Sequence, residues 1–161
     1  MPSQFIKSKD TSAHKEVIGE TIAKLVLFKN GFNVYSRFLD VDAVDMIVRN
    51  KNGNKLTYNE IQIKYSKYFE GNKDYWFGVN KRTFEPRYYF YFMFICGDED
   101  SIFIIPSLTL RDFLQKMVFI EKANKWDIHI VNRNERWHFT TKRGQDWIDI
   151  TTYRNNFDKL R

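Results

Sequence analysis

The run Asp45-Met46-Ile47-Val48, a turn, and then Glu60-Ile61-Gln62-Ile63-Lys64 decides how the chain is read. Successive side chains of a strand point to opposite faces, so Ile61, Ile63 and Tyr65 share one face while Glu60, Gln62 and Lys64 share the other. The preceding run divides the same way, with Val44, Met46 and Val48 of one parity and Asp45 of the other. Between the two lies Asn50-Lys51-Asn52-Gly53-Asn54-Lys55, whose Asn-Gly pair supplies the positive φ of a hairpin turn. Two adjacent antiparallel strands then bring Asp45 close to Gln62 and Lys64, with the apolar residues on the core side and the polar ones in a cleft.

Toward the N-terminus, Asp10, Thr11 and Ser12 offer cap oxygens, and an apolar period from Val17 through Phe28 predicts a first helix that stops at Asn30-Gly31. Val17, Ile18, Ile22, Leu25 and Phe28 form its main stripe, and Glu20 lies on a second one with Ala23 and Leu27. Phe32 to Ser36 reads as a strand, followed by an acidic loop holding Asp40 and Asp42. Asp42 competes with Asp45 as a metal ligand but has the opposite parity and ranks second.

Toward the C-terminus, a loop from Lys67 to Asp74 precedes a strand beginning at Tyr75-Trp76-Phe77. Its basic residues, interleaved with aromatic ones, suit phosphate contacts and base stacking, although core packing explains Trp76 and Phe77 equally well. Arg87 to Ile95 is so apolar that it reads as a central strand covered on both faces. Asp98-Glu99-Asp100 turns the chain into a strand over Ile102 to Ile105, and Pro106-Ser107 opens a helix to about Ile120. Trp126 to Val131 and Arg136 to Thr141 read as a terminal pair of strands, and Thr152 to Leu160 as a short closing helix.

At 161 residues the chain is expected to form one domain, and 17% aromatic residues exclude a disordered one. A lone Cys96 excludes a disulfide framework and a cysteine zinc site, and makes an intracellular, cytoplasmic location the expectation. No apolar run reaches the roughly 18 residues of a membrane span, so no membrane partner is expected. His14, His129 and His138 are scattered, and neither a Gly-rich phosphate loop nor a nucleophile elbow occurs. The net charge is +6, and Arg49 to Arg87 holds nine Lys or Arg against Glu60, Glu70, Asp74 and Glu85. A polyanion is the natural partner of that segment, with Lys67, Lys81 and Arg82 as the expected phosphate contacts.

An acid, a turn, and a polar residue two before a lysine resembles the PD-(D/E)XK nuclease superfamily, which includes restriction endonucleases, Holliday junction resolvases and one lineage of intron-encoded homing endonucleases. Val44 stands where that pattern has proline, and Gln62 where it has the second acid, so the likeness is to the subgroup that reads Gln-x-Lys. The resemblance implies an α/β fold: a restriction endonuclease-like α/β/α core, a central mixed sheet flanked by helices, over about residues 12–120, with residues 121–161 as an appended strand pair and helix. It further implies a Mg²⁺- or Mn²⁺-dependent endonuclease acting on DNA as a homodimer or higher symmetric oligomer. Its catalytic residues would be Glu20, Asp45, Gln62 and Lys64.

Chemically, a hard divalent ion held by oxygen ligands both activates water and stabilises charge on the phosphate. Asp45 is the first protein ligand, Gln62 offers an amide oxygen, and the resemblance adds the carbonyl of Ile63. Lys64 would orient or deprotonate the attacking water, or neutralise the transition state. Since Gln62 withholds one negative charge, Glu20 or Glu60 would have to compensate. Two competing readings are a DNA-binding module of the same fold that has lost catalysis, and a structural or protein-interaction domain whose basic face is incidental; the plain alternative for Asp45, Gln62 and Lys64 themselves is the solvent face of a hairpin.

Overall fold

The computed structural model describes residues 11–36, 43–119, 123–141 and 144–161. Asp40, Asp42 and the expected helix end at Ile120 lie outside these residues. In chain order the elements are α1 (Ser12–Lys29), β1 (Asn33–Ser36), β2 (Met46–Asn52), β3 (Lys55–Ser66), β4 (Tyr68–Phe69), β5 (Asp74–Asn80), β6 (Phe90–Cys96), β7 (Ile102–Pro106), α2 (Ser107–Lys116), β8 (Lys125–Arg133), β9 (Arg136–Thr140) and β10 (Trp147–Asp149). Two short 3-10 turns, Thr151–Tyr153 and Phe157–Leu160, close the chain. No helix of the described residues is long and apolar enough to cross a membrane.

The strands form two five-stranded sheets, ordered β1-β2-β3-β6-β7 and β10-β9-β8-β5-β4. In the first, β3 and β6 are parallel and every other pairing is antiparallel, which makes it a mixed sheet. Strand β6 is its hub, because both of its faces are apolar and serve different cores. Phe90, Phe92 and Phe94 face a core shared with Phe77, Ile128, Ile130 and Phe139 of the second sheet and with Leu110 and Leu114 of α2. Met93 and Ile95 face the other way, onto Ala23, Val26 and Leu27 of α1 and the C-terminal Leu160. Helices therefore flank the central sheet on both sides, and the second sheet shares the α2 side.

The first helix begins where the Thr11 side chain accepts the His14 N–H at 3.3 Å. It stops where the Asn30 side chain donates to the Val26 carbonyl at 2.8 Å and Gly31 takes a φ of +80°. Gly19 lets α1 lie directly on β3, since a Cβ there would stand 2.8 Å from the Cβ of Tyr65. This close approach fixes the height of the helix over the strand that carries the motif.

Several elements differ from the sequence reading. The segment from Lys67 to Asp74 is a hairpin, with Tyr68 and Phe69 paired to Tyr75 and Asp74. The expected terminal strand pair joins β5 through Trp76 opposite His129 and is the centre of the second sheet. The second helix ends at Lys116 because Met117 is extended. The closing helix breaks into two turns at Asn155, which has a φ of +48° and bonds both backbone groups of Ile102 on β7: its own N–H donates at 2.6 Å and its Oδ1 accepts at 3.1 Å. The Leu160 carbonyl then accepts from the side-chain amides of Asn50 and Asn59. The tail is thus fastened across the α1 face of the sheet.

Candidate active site

Strand β3 is longer than its neighbour on one side. Strand β2 pairs with it only from Ile61 back to Lys55, whereas β6 pairs with it as far as Ser66. Beyond Ile61 the β2-side edge of β3 is open. A β-strand residue points its N–H and C=O to the same edge, so the backbone of Ile63 faces this opening. The Asp45 carboxylate fills it, with Oδ2 accepting the Ile63 N–H at 2.6 Å, while the Asp45 N–H donates to the Ile61 carbonyl at 2.8 Å.

This geometry corrects the simple alternation expected for Val44, Met46 and Val48. Regular β2 begins at Met46, and the chain enters it from Ala43 at a φ of +55°. As a result Val44 packs into the core between the sheets, whereas Met46 and Val48 pack under α1. Asp45 accordingly reaches toward the sheet edge to bond the backbone of Ile63.

Around the open edge lies a cleft of about 700 Å³. Helix α1 contributes Glu16, Gly19 and Glu20 to it, the entry to β2 contributes Ala43 and Asp45, and β3 contributes Gln62, Ile63, Lys64 and Tyr65. The rest of the lining is the end of β5, Asn80, and the segment after it, with Arg82, Thr83 and Glu85. Glu20, Asp45, Gln62, Ile63, Lys64 and Arg82 of the sequence reading therefore meet in one cavity. Lys67 and Lys81 do not line it: Lys67 is exposed beyond the end of β3, and the Lys81 ammonium lies 5.7 Å from the ring centre of Trp126.

Lys64 is half-buried in the cleft. Burial pulls its ammonium below the usual lysine range, Asp45 opposes that shift, Lys125 at the start of β8 reinforces it, and Glu16 opposes it. A desolvated lysine beside a carboxylate suits proton transfer or charge neutralisation better than simple solvation. Glu60 shares the parity of Gln62 and Lys64 but does not line the cleft. The Arg87 Nε donates to its carboxylate at 2.8 Å, with that guanidinium stacked 4.2 Å from the ring centre of Phe90.

The helix side holds a residue missing from the sequence reading. Glu16 sits one turn before Glu20, which is 4.0 Å from Lys24, and among the described residues Glu16 has no such partner. The i, i+4 spacing from Glu20 was the signal that places both carboxylates over the same strand. Among the described residues, no three His, Cys, Asp or Glu side chains converge closely enough to hold a metal by themselves. The oxygen donors at the cleft are carboxylates, amides, hydroxyls and backbone carbonyls, and among the described residues its lining holds no imidazole or thiolate, a donor set that fits a hard divalent cation.

The chain superposes on the structure of the bacterial homing endonuclease I-Ssp6803I with a TM-score of 0.60 at 16% identity, over 93% of this chain and 92% of that one. The two share a fold. Among the described residues, two helices, two sheets and a central mixed sheet flanked by helix match the endonuclease architecture. No family model matches the chain, and no curated protein sequence does.

Proposed function

We propose that the protein is a divalent-metal-dependent DNA endonuclease of the PD-(D/E)XK type in its Gln-x-Lys form, of homing or restriction kind rather than a junction resolvase. One observation carries the reading: Asp45, Gln62 and a desolvated Lys64 converge at the open edge of β3, on a fold shared with a homing endonuclease. Asp45, Gln62 and the Ile63 carbonyl would hold Mg²⁺ or Mn²⁺, with a carboxylate of α1 completing the charge. When bound, such an ion polarises a phosphoryl oxygen and lowers the pKa of a coordinated water.

The remaining work belongs to the chain. Asp45 and Gln62 orient the scissile phosphate at the β3 edge, and Lys64 positions the attacking water or neutralises the charge that develops on phosphate. Arg82 grips a neighbouring phosphate from the segment after β5, with Lys67 and Lys81 as outlying contacts. Because one cleft cuts one strand, double-strand cleavage calls for a symmetric dimer or a higher oligomer.

Incubation of supercoiled and linear DNA with Mg²⁺, Mn²⁺ or EDTA tests the reading. Lys64→Ala should lower cleavage by about 10²- to 10⁴-fold while leaving most DNA binding, as expected for a positioned proton-transfer or charge-stabilising group. Asp45→Asn should also lose cleavage and bind DNA as well or better, since it removes a negative charge facing phosphate. Cleavage undiminished in both variants refutes the assignment. The amide at Gln62 favours one second reading, a DNA-binding module without catalysis, and a wild-type protein that binds DNA but cuts it with no divalent ion would select that.

A further inference from the structure

The outer face of the second sheet carries a cavity that the cleft chemistry leaves unused. On β5 and β8 the register places Trp76 opposite His129, Gly78 opposite Asp127, and Asn80 opposite Lys125, all on the face turned away from the core between the sheets. A cavity of about 230 Å³ opens there, lined by Phe69, Asn72, Trp76, Asp127 and His129. Phe69 is 41% exposed and Trp76 45%, and the two rings make no contact with each other. His129, by contrast, is buried, with Nδ1 2.6 Å from Asp74 Oδ2, while Asp74 Oδ1 is buried without a hydrogen-bond partner. Anchoring Nδ1 to a carboxylate fixes the imidazole and leaves Nε2 as its remaining polar atom.

We propose that this cavity receives one unstacked nucleobase of a DNA strand whose phosphate lies in the cleft. The inference rests on the DNA reading above and adds to it a second contact site. Two exposed, uncoupled aromatic rings offer stacking faces, and such stacking is tolerant of base identity. Asn72, Asp127 and His129 supply polar groups for a base edge. Two nearby carboxylates, Asp74 and Asp127, disfavour phosphate here and favour the amino donors of a base.

Continuity with the cleft sets the spacing. Trp76, Gly78 and Asn80 follow one another on the same face of β5, and Asn80 lines the cleft. Four strand residues cover about 13 Å, which is about four base steps of duplex at roughly 3.4 Å each. Gly78 keeps the path between the two sites low, and the Lys125 side chain lies across it, with Cδ 3.2 Å from where a Cβ of residue 78 would stand. That lysine supplies a cation for the intervening backbone.

The test uses a short duplex carrying one bulged 2-aminopurine and the same duplex fully paired, both in EDTA so that cleavage plays no part. Wild-type protein should bind the bulged duplex more tightly and quench the 2-aminopurine emission. Trp76→Ala and Phe69→Ala should each lose the quenching and weaken binding of the bulged duplex by about 5- to 150-fold. Trp147→Ala, an exposed tryptophan at the far edge of the same sheet, should change neither. Circular dichroism verifies that each variant is folded. Equal wild-type affinity for the two duplexes, or quenching retained in both Trp76→Ala and Phe69→Ala, overturns this inference and leaves the endonuclease reading standing. A wild-type protein that binds neither duplex overturns both.

Discussion

Replacing Gly19 with alanine tests the contact that sets the height of α1, and with it the placement of Glu16 and Glu20 at the cleft. In an ordinary helix interior, Gly→Ala stabilises by about 0.5–1 kcal/mol through backbone entropy. Here the new Cβ would stand 2.8 Å from the Cβ of Tyr65 and 3.4 Å from the Cγ2 of Ile63. The Tyr65 Cβ is rooted in the β3 backbone, so no rotamer change removes the clash. Ordinary contact begins at 3.4 Å, so α1 must lift by roughly 0.6 Å or β3 must sink into the core. Overpacking of this kind costs about 1–3 kcal/mol, which exceeds the helix-propensity gain and leaves a net loss of about 1 kcal/mol. Urea unfolding of Gly19→Ala should therefore show a lower midpoint than wild type. Gly71→Ala is the control, because a Cβ there meets nothing within 4 Å. A Gly19→Ala protein more stable than wild type by the ordinary propensity gain would refute the close approach, and with it the placement of Glu16 and Glu20 over the β3 edge.

Glu16→Gln should weaken Mn²⁺ binding measured by calorimetry, and adding Gln62→Glu to that variant should restore it; equal affinity in wild type and both variants would remove Glu16 from the site. Asn155→Ala deletes the side-chain bonds to the Ile102 N–H and the Asp100 carbonyl and should destabilise the protein by about 1–3 kcal/mol in urea, detaching the C-terminal turn from β7. The Asp149 carboxyl is held down to about 2 by the Thr151 hydroxyl and amide, with Arg136 adding to them. A depressed carboxyl contributes stability that is complete above its unfolded value near 3.9 and is lost as pH falls through about 2. A carbon-detected NMR titration that puts the Asp149 midpoint near 3.9 would contradict that network.

What the sequence made legible was local. The Asn52-Gly53 turn, the stop at Gly31 and the two-sided apolar run through β6 each rest on a single residue type with one dominant conformational or burial preference. The grouping of Asp45, Gln62 and Lys64 followed from strand parity plus a turn, and both are short-range. Parity failed at Val44 because it presumes a regular strand, whereas the chain enters β2 through a left-handed residue at Ala43. The second sheet was illegible for another reason. Trp126 to Ile130 pairs with Tyr75 to Val79 across about 50 residues of sequence, a separation that no local pattern encodes. The closing helix was misread because the side chain of Asn155 takes the bonds to β7 that compete with a helix.

Of the two acids that could offset the amide of Gln62, Glu60 lies outside the cleft and Glu20 of α1 lines it. Glu60, Gln62 and Lys64 share a strand face, but a shared face spans several ångströms along the strand and says nothing of what packs beside it. Tyr89, with a φ of +61°, returns the chain to β6 so that Arg87 reaches Glu60 and neutralises it. The helix approaches from the other side, over the open edge itself, at a height set by Gly19. Glu16 and Glu20 line the same cleft as Lys64 and Ile63, and among the described residues neither is paired to an arginine. An amide at position 62 is compatible with the proposed site: it would offer a neutral oxygen beside a lysine whose charged form burial disfavours, and Asp45 and α1 would carry the negative charge.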